Sequence, residues 1–177
     1  ITTTMLQLAN AYSIIVNGGY GINPTLIKKN DYKTNRKILN NDVSKKINPI
    51  LRKIVTTKEG TANLANVEGY SVGGKTGTAI LVNEKGGYHK DRDLTSFISV
   101  FPVNNPKYVV LTILENPKKI EGSQQKTTGA VVNAPLVKEI ILEMIKIMNI
   151  PANKSEDILK ADINNFYNKN HVSLWSC

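Results

Sequence analysis

One stretch limits the choice of fold more than any other: Val72-Gly73-Gly74-Lys75-Thr76-Gly77-Thr78-Ala79-Ile80-Leu81-Val82. Three glycines strip it of bulk, so another molecule can lie directly against its backbone. Its second half is apolar and partly β-branched, which favours a strand over a helix. The pattern predicts a strand over residues 72–82 with a bare, polar edge. That edge carries one ammonium and two hydroxyls, from Lys75, Thr76 and Thr78.

The flanks supply the layers such a strand needs. Thr4 and Gln7 have the spacing of a capping box. Met5, Leu8, Ala9, Tyr12, Ile15 and Val16 then recur at helical spacing, and Gly18-Gly19 supplies a left-handed stop. A short extended piece is expected over 25–29, followed by a polar surface loop over 30–41. A second helix is expected over 42–57. Pro49 interrupts it, so its solid part is placed from Asn48 as cap and Pro49 as first residue, with Ile50, Leu51, Ile54 and Val55 buried. Gly60 closes that helix, and 61–69 is a small-residue connection. Residues 83–93 are polar, contain Gly86-Gly87 and turn the chain. Strands over 94–103 and 107–115 follow, joined by a tight turn at Asn104-Asn105-Pro106. After a polar loop over 118–128, Asn133 is expected to cap a helix with Pro135 in its first turn. Leu136, Val137, Ile140, Ile141, Met144, Ile145 and Met148 give that helix an apolar face wide enough to cover a sheet. The fold class is α+β: an antiparallel meander of about three strands covered by helices. Residues 1–150 form the folded part and 151–177 a flexible, Asn- and Lys-rich tail.

Composition narrows function less. With 177 residues and 41% hydrophobic content, the chain can build one real core. The formal charge of +9 suits an anionic partner or surface, yet no basic-aromatic platform for nucleic acid accompanies it. The single cysteine, Cys177, can neither staple the fold nor build a zinc site. His89 and His171 lack ligand spacing, so no metal and no cofactor are expected. No apolar run reaches the ~18 residues of a membrane span, and no signal peptide opens the chain. The opening Ile1, just ahead of a helix, suggests a piece of something longer.

Two chemistries compete for Lys75. Gly69-Tyr70-Ser71-Val72-Gly73-Gly74-Lys75-Thr76 satisfies the phosphate-loop pattern letter for letter. That loop needs a strand before it and a helix starting at the lysine, so that backbone N–H groups converge on phosphates. Residues 63–68 do not read as a buried strand, Gly77 falls where the helix would form, and Ile80 and Val82 prolong an extended pattern.

The second chemistry is the K-T-G element of serine acyl-transferases, here Lys75-Thr76-Gly77-Thr78-Ala79 behind Gly73-Gly74. Its setting resembles the penicillin-binding proteins from residue 2 to about 150. The similarity runs through the stretch Thr4 to Tyr12 followed by Gly18-Gly19, then Glu59-Gly60-Thr61-Ala62 and Val67-Glu68-Gly69-Tyr70. It continues in Ser96-Phe97, Phe101-Pro102, Asn105-Pro106-Lys107-Tyr108 and Glu115-Asn116-Pro117. With the insert Gly86-Gly87-Tyr88-His89-Lys90-Asp91-Arg92, the chain is most similar to the cell-division class B transpeptidases.

The resemblance implies the C-terminal part of a penicillin-binding/β-lactamase-like transpeptidase domain. In full length this is a serine-type D,D-transpeptidase of septal wall synthesis. Its partners are peptidoglycan stem peptides, β-lactam antibiotics and cell-division proteins. Its catalytic domain lies outside the cytoplasmic membrane, held by a single-span anchor beyond this stretch. The resemblance makes Lys75 the fixed cation beside the nucleophile. Thr76 and Thr78 become the hydroxyls for the substrate's terminal carboxylate, Gly77 the point of backbone approach, and the Thr78 N–H half of the oxyanion hole. The family's S-x-x-K serine and S-x-N hydroxyl both precede K-T-G, and no suitable match lies in this chain; Ser44-Lys45-Lys46-Ile47 does not fit. The 177 residues alone are therefore expected to be inactive. Tyr88 and the trio Thr127, Thr128 and Gly129 are lesser candidates for the site wall. Without the family's N-terminal strands, the last strand is expected to keep an open apolar edge over 108–114 and to self-associate through it.

Overall fold

The computed structural model describes residues 3–27, 36–84, 86–118 and 126–152, with Lys90 and Asp91 as backbone alone. The elements run α1 (Met5–Val16), α2 (Asn41–Thr56), a 3-10 turn (Asn63–Ala65), β1 (Gly73–Val82), β2 (Tyr88–Phe101), β3 (Tyr108–Glu115), a wide π turn (Gly129–Asn133) and α3 (Ala134–Met148). The sheet is an antiparallel meander in the order β1-β2-β3, as the alternation of apolar runs and turns predicts.

Strand alternation divides the core in two. Phe97 and Phe101 of β2 face α3, where they meet Val137 and Ile141 together with Val55 and Val72. Phe101 also packs against Tyr108 with ring centroids 5.1 Å apart. Val100, one residue out of phase, meets Val16 of α1 and Leu51 of α2. The helices thus sandwich the sheet, and α2 contributes to both clusters through Val55 and Leu51.

α1 begins at the expected capping box: Gln7 N–H donates to Thr4 Oγ1, and the Gln7 side chain accepts from the Thr4 N–H. Gly18 leaves the helix at φ +94°, a backbone that suits glycine. α2 departs from expectation. Its span matches the expected 42–57 to within a residue, but it is continuous across Pro49 and so is solid from eight residues before the expected place, with Asn40 as the cap that accepts from the Asp42 N–H. Tertiary bonds fix its first half. Ser44 Oγ donates to the carbonyl of Ile15 and accepts from the Gly18 N–H, and Asn48 donates to the carbonyls of Val16 and Val103. Asn48 is therefore a tie to α1, not a cap. Leu51 and Val55 are buried, Ile54 is half-buried, and Ile50 stands 47% exposed against the prediction. Arg52 takes a buried place instead.

Other boundaries also moved. The expected extended piece forms no strand over 25–27, and its last residues lie outside the described residues, as does part of the following loop. β2 starts at Tyr88, six residues before the predicted Leu94, because the polar insert pairs with the end of β1: Val82 stands opposite Tyr88. Asn133 precedes α3 but caps nothing with its side chain. It is buried and donates to the carbonyl and hydroxyl of Thr112 on β3. Val137 and Ile141 form the buried centre of α3, whereas Leu136 and Met148 are exposed. The predicted tail lies outside the described residues beyond 152.

Candidate functional site

β1 is one of the sheet's two terminal strands, and its outer margin meets no other strand among the described residues. Lys75, Thr76, Gly77 and Thr78 stand opposite Ile98, Phe97, Ser96 and Thr95. Alternation sends Thr76 and Thr78 to the α3 side and Lys75 to the side of α1 and α2. No helix springs from Lys75. The backbone stays extended to Val82, so the phosphate-loop geometry is absent.

The glycines of the run have separate tasks. A Cβ on Gly74 would lie 2.6 Å from the Phe97 ring and from the carbonyl of Ile98, so this glycine lets core and strand close together. A Cβ on Gly77 would lie 2.5 Å from Ser96 Oγ. The Ser96 hydroxyl thus fills the place a side chain would take.

Lys75 is exposed; its Nζ donates to the carbonyl of Thr76 at 2.7 Å. Among the described ion pairs none involves it, so its charge is available to an incoming anion. Thr76 Oγ1 lies 3.0 Å from Thr61 Oγ1. Thr78 Oγ1 accepts from the Gly129 N–H at 3.3 Å. One ammonium and two hydroxyls are therefore carried on four consecutive residues of a free margin, and each hydroxyl touches a group from another segment. Chemically, this arrangement suits a carboxylate lying along a strand.

The strand is anchored from behind. Arg52 of α2 is 4% exposed, and its guanidinium donates to the carbonyl of Val72 at 2.8 Å and to Asn66 Oδ1 at 3.1 Å. α2 presses so close that a Cβ on Gly73 would lie 3.0 Å from the Arg52 N. Sequence reasoning missed Arg52, although its place between Leu51 and Val55 on the buried stripe was a readable sign. It also named Thr61 and Gly129 without finding their hydrogen bonds to the site.

The lesser candidates separate. Gly129 reaches the site, whereas Tyr88 begins β2 opposite Val82 and is exposed. His171 lies outside the described residues. Ser123-Gln124-Gln125-Lys126 also spells S-x-x-K, but it follows Lys75 in the chain, opposite to the family order, and Ser123 lies outside the described residues. Among the described residues no helix is long and apolar enough to cross a membrane.

The chain is similar to known proteins over most of its length. Residues 1–142 match the family described as the penicillin binding protein transpeptidase domain. The chain is 32% identical to a peptidoglycan D,D-transpeptidase FtsI homolog of Mesostigma viride, an alignment covering 85% of this chain and 28% of that protein. It is 36% identical to peptidoglycan D,D-transpeptidase FtsI of Buchnera aphidicola, over 85% of this chain and 26% of that protein. It is 32% identical to stage V sporulation protein D of Bacillus subtilis, over 88% and 25%. The chain thus spans about a quarter of the length of these curated relatives. Among solved structures, the transpeptidase domain of Burkholderia pseudomallei penicillin-binding protein 3 superposes with a TM-score of 0.74 at 29% identity, over 86% of this chain and 45% of that one. Penicillin-binding protein 3 of Mycobacterium tuberculosis, complexed with aztreonam, gives a TM-score of 0.70 at 25% identity, over 85% and 36%. With the family match covering residues 1–142 and a shared overall fold, the chain belongs to the penicillin-binding protein transpeptidase domain family.

Proposed function

We propose that this chain is the substrate-binding half of a peptidoglycan D,D-transpeptidase that cross-links stem peptides in septal wall synthesis. The observation that carries the reading is the open strand margin holding Lys75, Thr76 and Thr78 together.

The reaction is acyl transfer through a serine ester. A serine from outside this stretch attacks the carbonyl between two D-alanines. Its proton passes to a neighbouring base, the terminal D-alanine leaves as an amine, and the amine of a second stem peptide resolves the ester. Lys75 supplies a fixed positive potential beside that serine. Thr76 and Thr78 receive the terminal carboxylate, and Gly77 lets the stem peptide pair along the margin as an added strand. The Thr78 N–H is assigned half of the oxyanion hole. Such a donor typically contributes about 3–4 kcal/mol to the transition state.

β-Lactams are inhibitors on this reading, because they present a carboxylate and a reactive carbonyl at the same separation as the peptide. Cell-division proteins are the partners, and the full-length protein works outside the cytoplasmic membrane from a single-span anchor.

Labelled penicillin tests the reading on the full-length parent. Covalent labelling is expected, and Lys75→Ala should slow it about a hundredfold, as the loss of a preorganised charge at an acyl-transfer site does. A parent that takes up no label, or one labelled equally well with alanine at position 75, defeats it.

A further inference from the structure

We infer that Gly129 is a positioning residue: its amide sets the direction of the Thr78 hydroxyl and leaves that hydroxyl's proton free for a substrate carboxylate. The inference rests on the transpeptidase reading and goes one step past it. Three observations converge on it.

The first is the bond itself, in which Thr78 Oγ1 accepts from the Gly129 N–H at 3.3 Å. A threonine hydroxyl has one proton to give and two lone pairs. With a lone pair engaged by the amide, the proton points elsewhere, and Thr78 is exposed on the free margin of β1. The hydroxyl is thereby arranged as a donor toward the groove.

The second is how closely Gly129 approaches the sheet. A Cβ built on it would lie 2.3 Å from the carbonyl of Ser96 and 2.8 Å from the carbonyl of Gly77. Both obstacles are backbone within the paired β1 and β2, so neither can swing aside. Only glycine brings an amide this near to the strand at position 129.

The third is the turn that carries it. Gly129–Asn133 is a π turn, and its far end is pinned by the buried Asn133, which donates to Thr112 of β3. Such wide turns are rare and recur at functional sites. Here the turn spans from β3 to β1 and fixes the amide relative to both.

The test is a double-mutant cycle in the full-length parent, read by the kinetics of labelled-penicillin acylation. Gly129→Ala should push the backbone off the strand, break the bond and raise the apparent dissociation constant about tenfold, a coupling typical of side chains in direct contact. In a Thr78→Val background the same change should have almost no further effect. In a Thr78→Ser background, where the hydroxyl returns, the tenfold penalty should return with it. Equal penalties in the valine and serine backgrounds would mean that Gly129 only supports the fold, and the inference would be overturned. So would a Gly129→Ala protein that binds like the parent.

Should Gly129→Ala fail to fold, Thr78→Val reads the bond from the other side. Hydrogen exchange at the Gly129 amide should quicken in Thr78→Val and stay slow in Thr78→Ser; equal exchange in both refutes the bond. A parent that is never labelled, while the exchange result holds, removes the transpeptidase reading and leaves the Gly129 contact as a fact of the fold.

Discussion

Tyr12 is half-buried, and its hydroxyl sits where water does not reach. Its ring packs against the cluster of Val16, Leu51, Val100 and Val103, and its hydroxyl is buried with no hydrogen-bond partner. Burial disfavours the phenolate, so the group ionises well above the usual value near 10. The sign follows from proton binding. Above pH ~10 the unfolded chain releases a proton that the folded protein keeps, so this contribution to stability is complete below that pH and drains away as pH rises. Tyr12→Phe keeps the ring and removes both the titration and the unsatisfied hydroxyl. At neutral pH it should be neutral or stabilising by up to about 1 kcal/mol. Between pH 10 and 11.5 it should lose less stability than the parent. Melting curves across that interval check the point, and parallel declines for the two proteins would show that Tyr12 does not titrate there.

At the scale of elements, the hold of α2 on β1 decides where Lys75 stands. Arg52 is a buried cation satisfied by the carbonyl of Val72 and by Asn66. Arg52→Met keeps much of the volume but leaves these acceptors without their donor. Hydrogen bonds to charged groups are worth about 1.5–3 kcal/mol each, so a loss of about 2–3 kcal/mol in chemical denaturation is expected. An unchanged midpoint would mean that the anchor lies elsewhere. This element was also the least legible from sequence. The polar-apolar pattern gave α1, the three strands and α3, because each buries a face at its own period. It placed the span of α2 but set its solid part only from Pro49, because proline is a local signal while Ser44 and Asn48 reach across to α1. It misread Asn133 for the same reason: a cap is defined by neighbours in sequence, and the partner of Asn133 is Thr112 on another strand. The short polar insert gave no apolar signal at all, so the early start of β2 was invisible. At the site, Lys75, Thr76, Gly77 and Thr78 were readable as a motif. Their ties to Thr61, Gly129 and Arg52 depend on packing, which no local spacing encodes.

For the molecule as a whole, the sheet has two terminal strands of different character. β1 carries Lys75 and the threonines on its margin. β3 reads Tyr108–Glu115 and is apolar at six of its eight residues, all but Thr112 and Glu115, with no strand paired on its outer side among the described residues. Exposed Met5, Leu6, Leu26 and Ile27 add apolar surface elsewhere, with Leu26 fully open to solvent. An unpaired row of N–H and C=O groups flanked by apolar side chains templates another strand. The 177 residues expressed alone should therefore associate through β3 into dimers or larger species, with the formal charge of +9 opposing but not preventing it. Because that repulsion is screened by salt, association should strengthen as ionic strength rises. Ile113→Lys, which sets a charge on the strand as natural edges do, should weaken it and shift the population toward monomer. Sedimentation velocity over a concentration series, with circular dichroism to confirm that the strands persist, separates the outcomes. A folded monomer at every concentration and salt level would show that the β3 edge is already protected. Association that ignores the lysine would place the contact on the exposed apolar residues of α1 and the 26–27 segment instead.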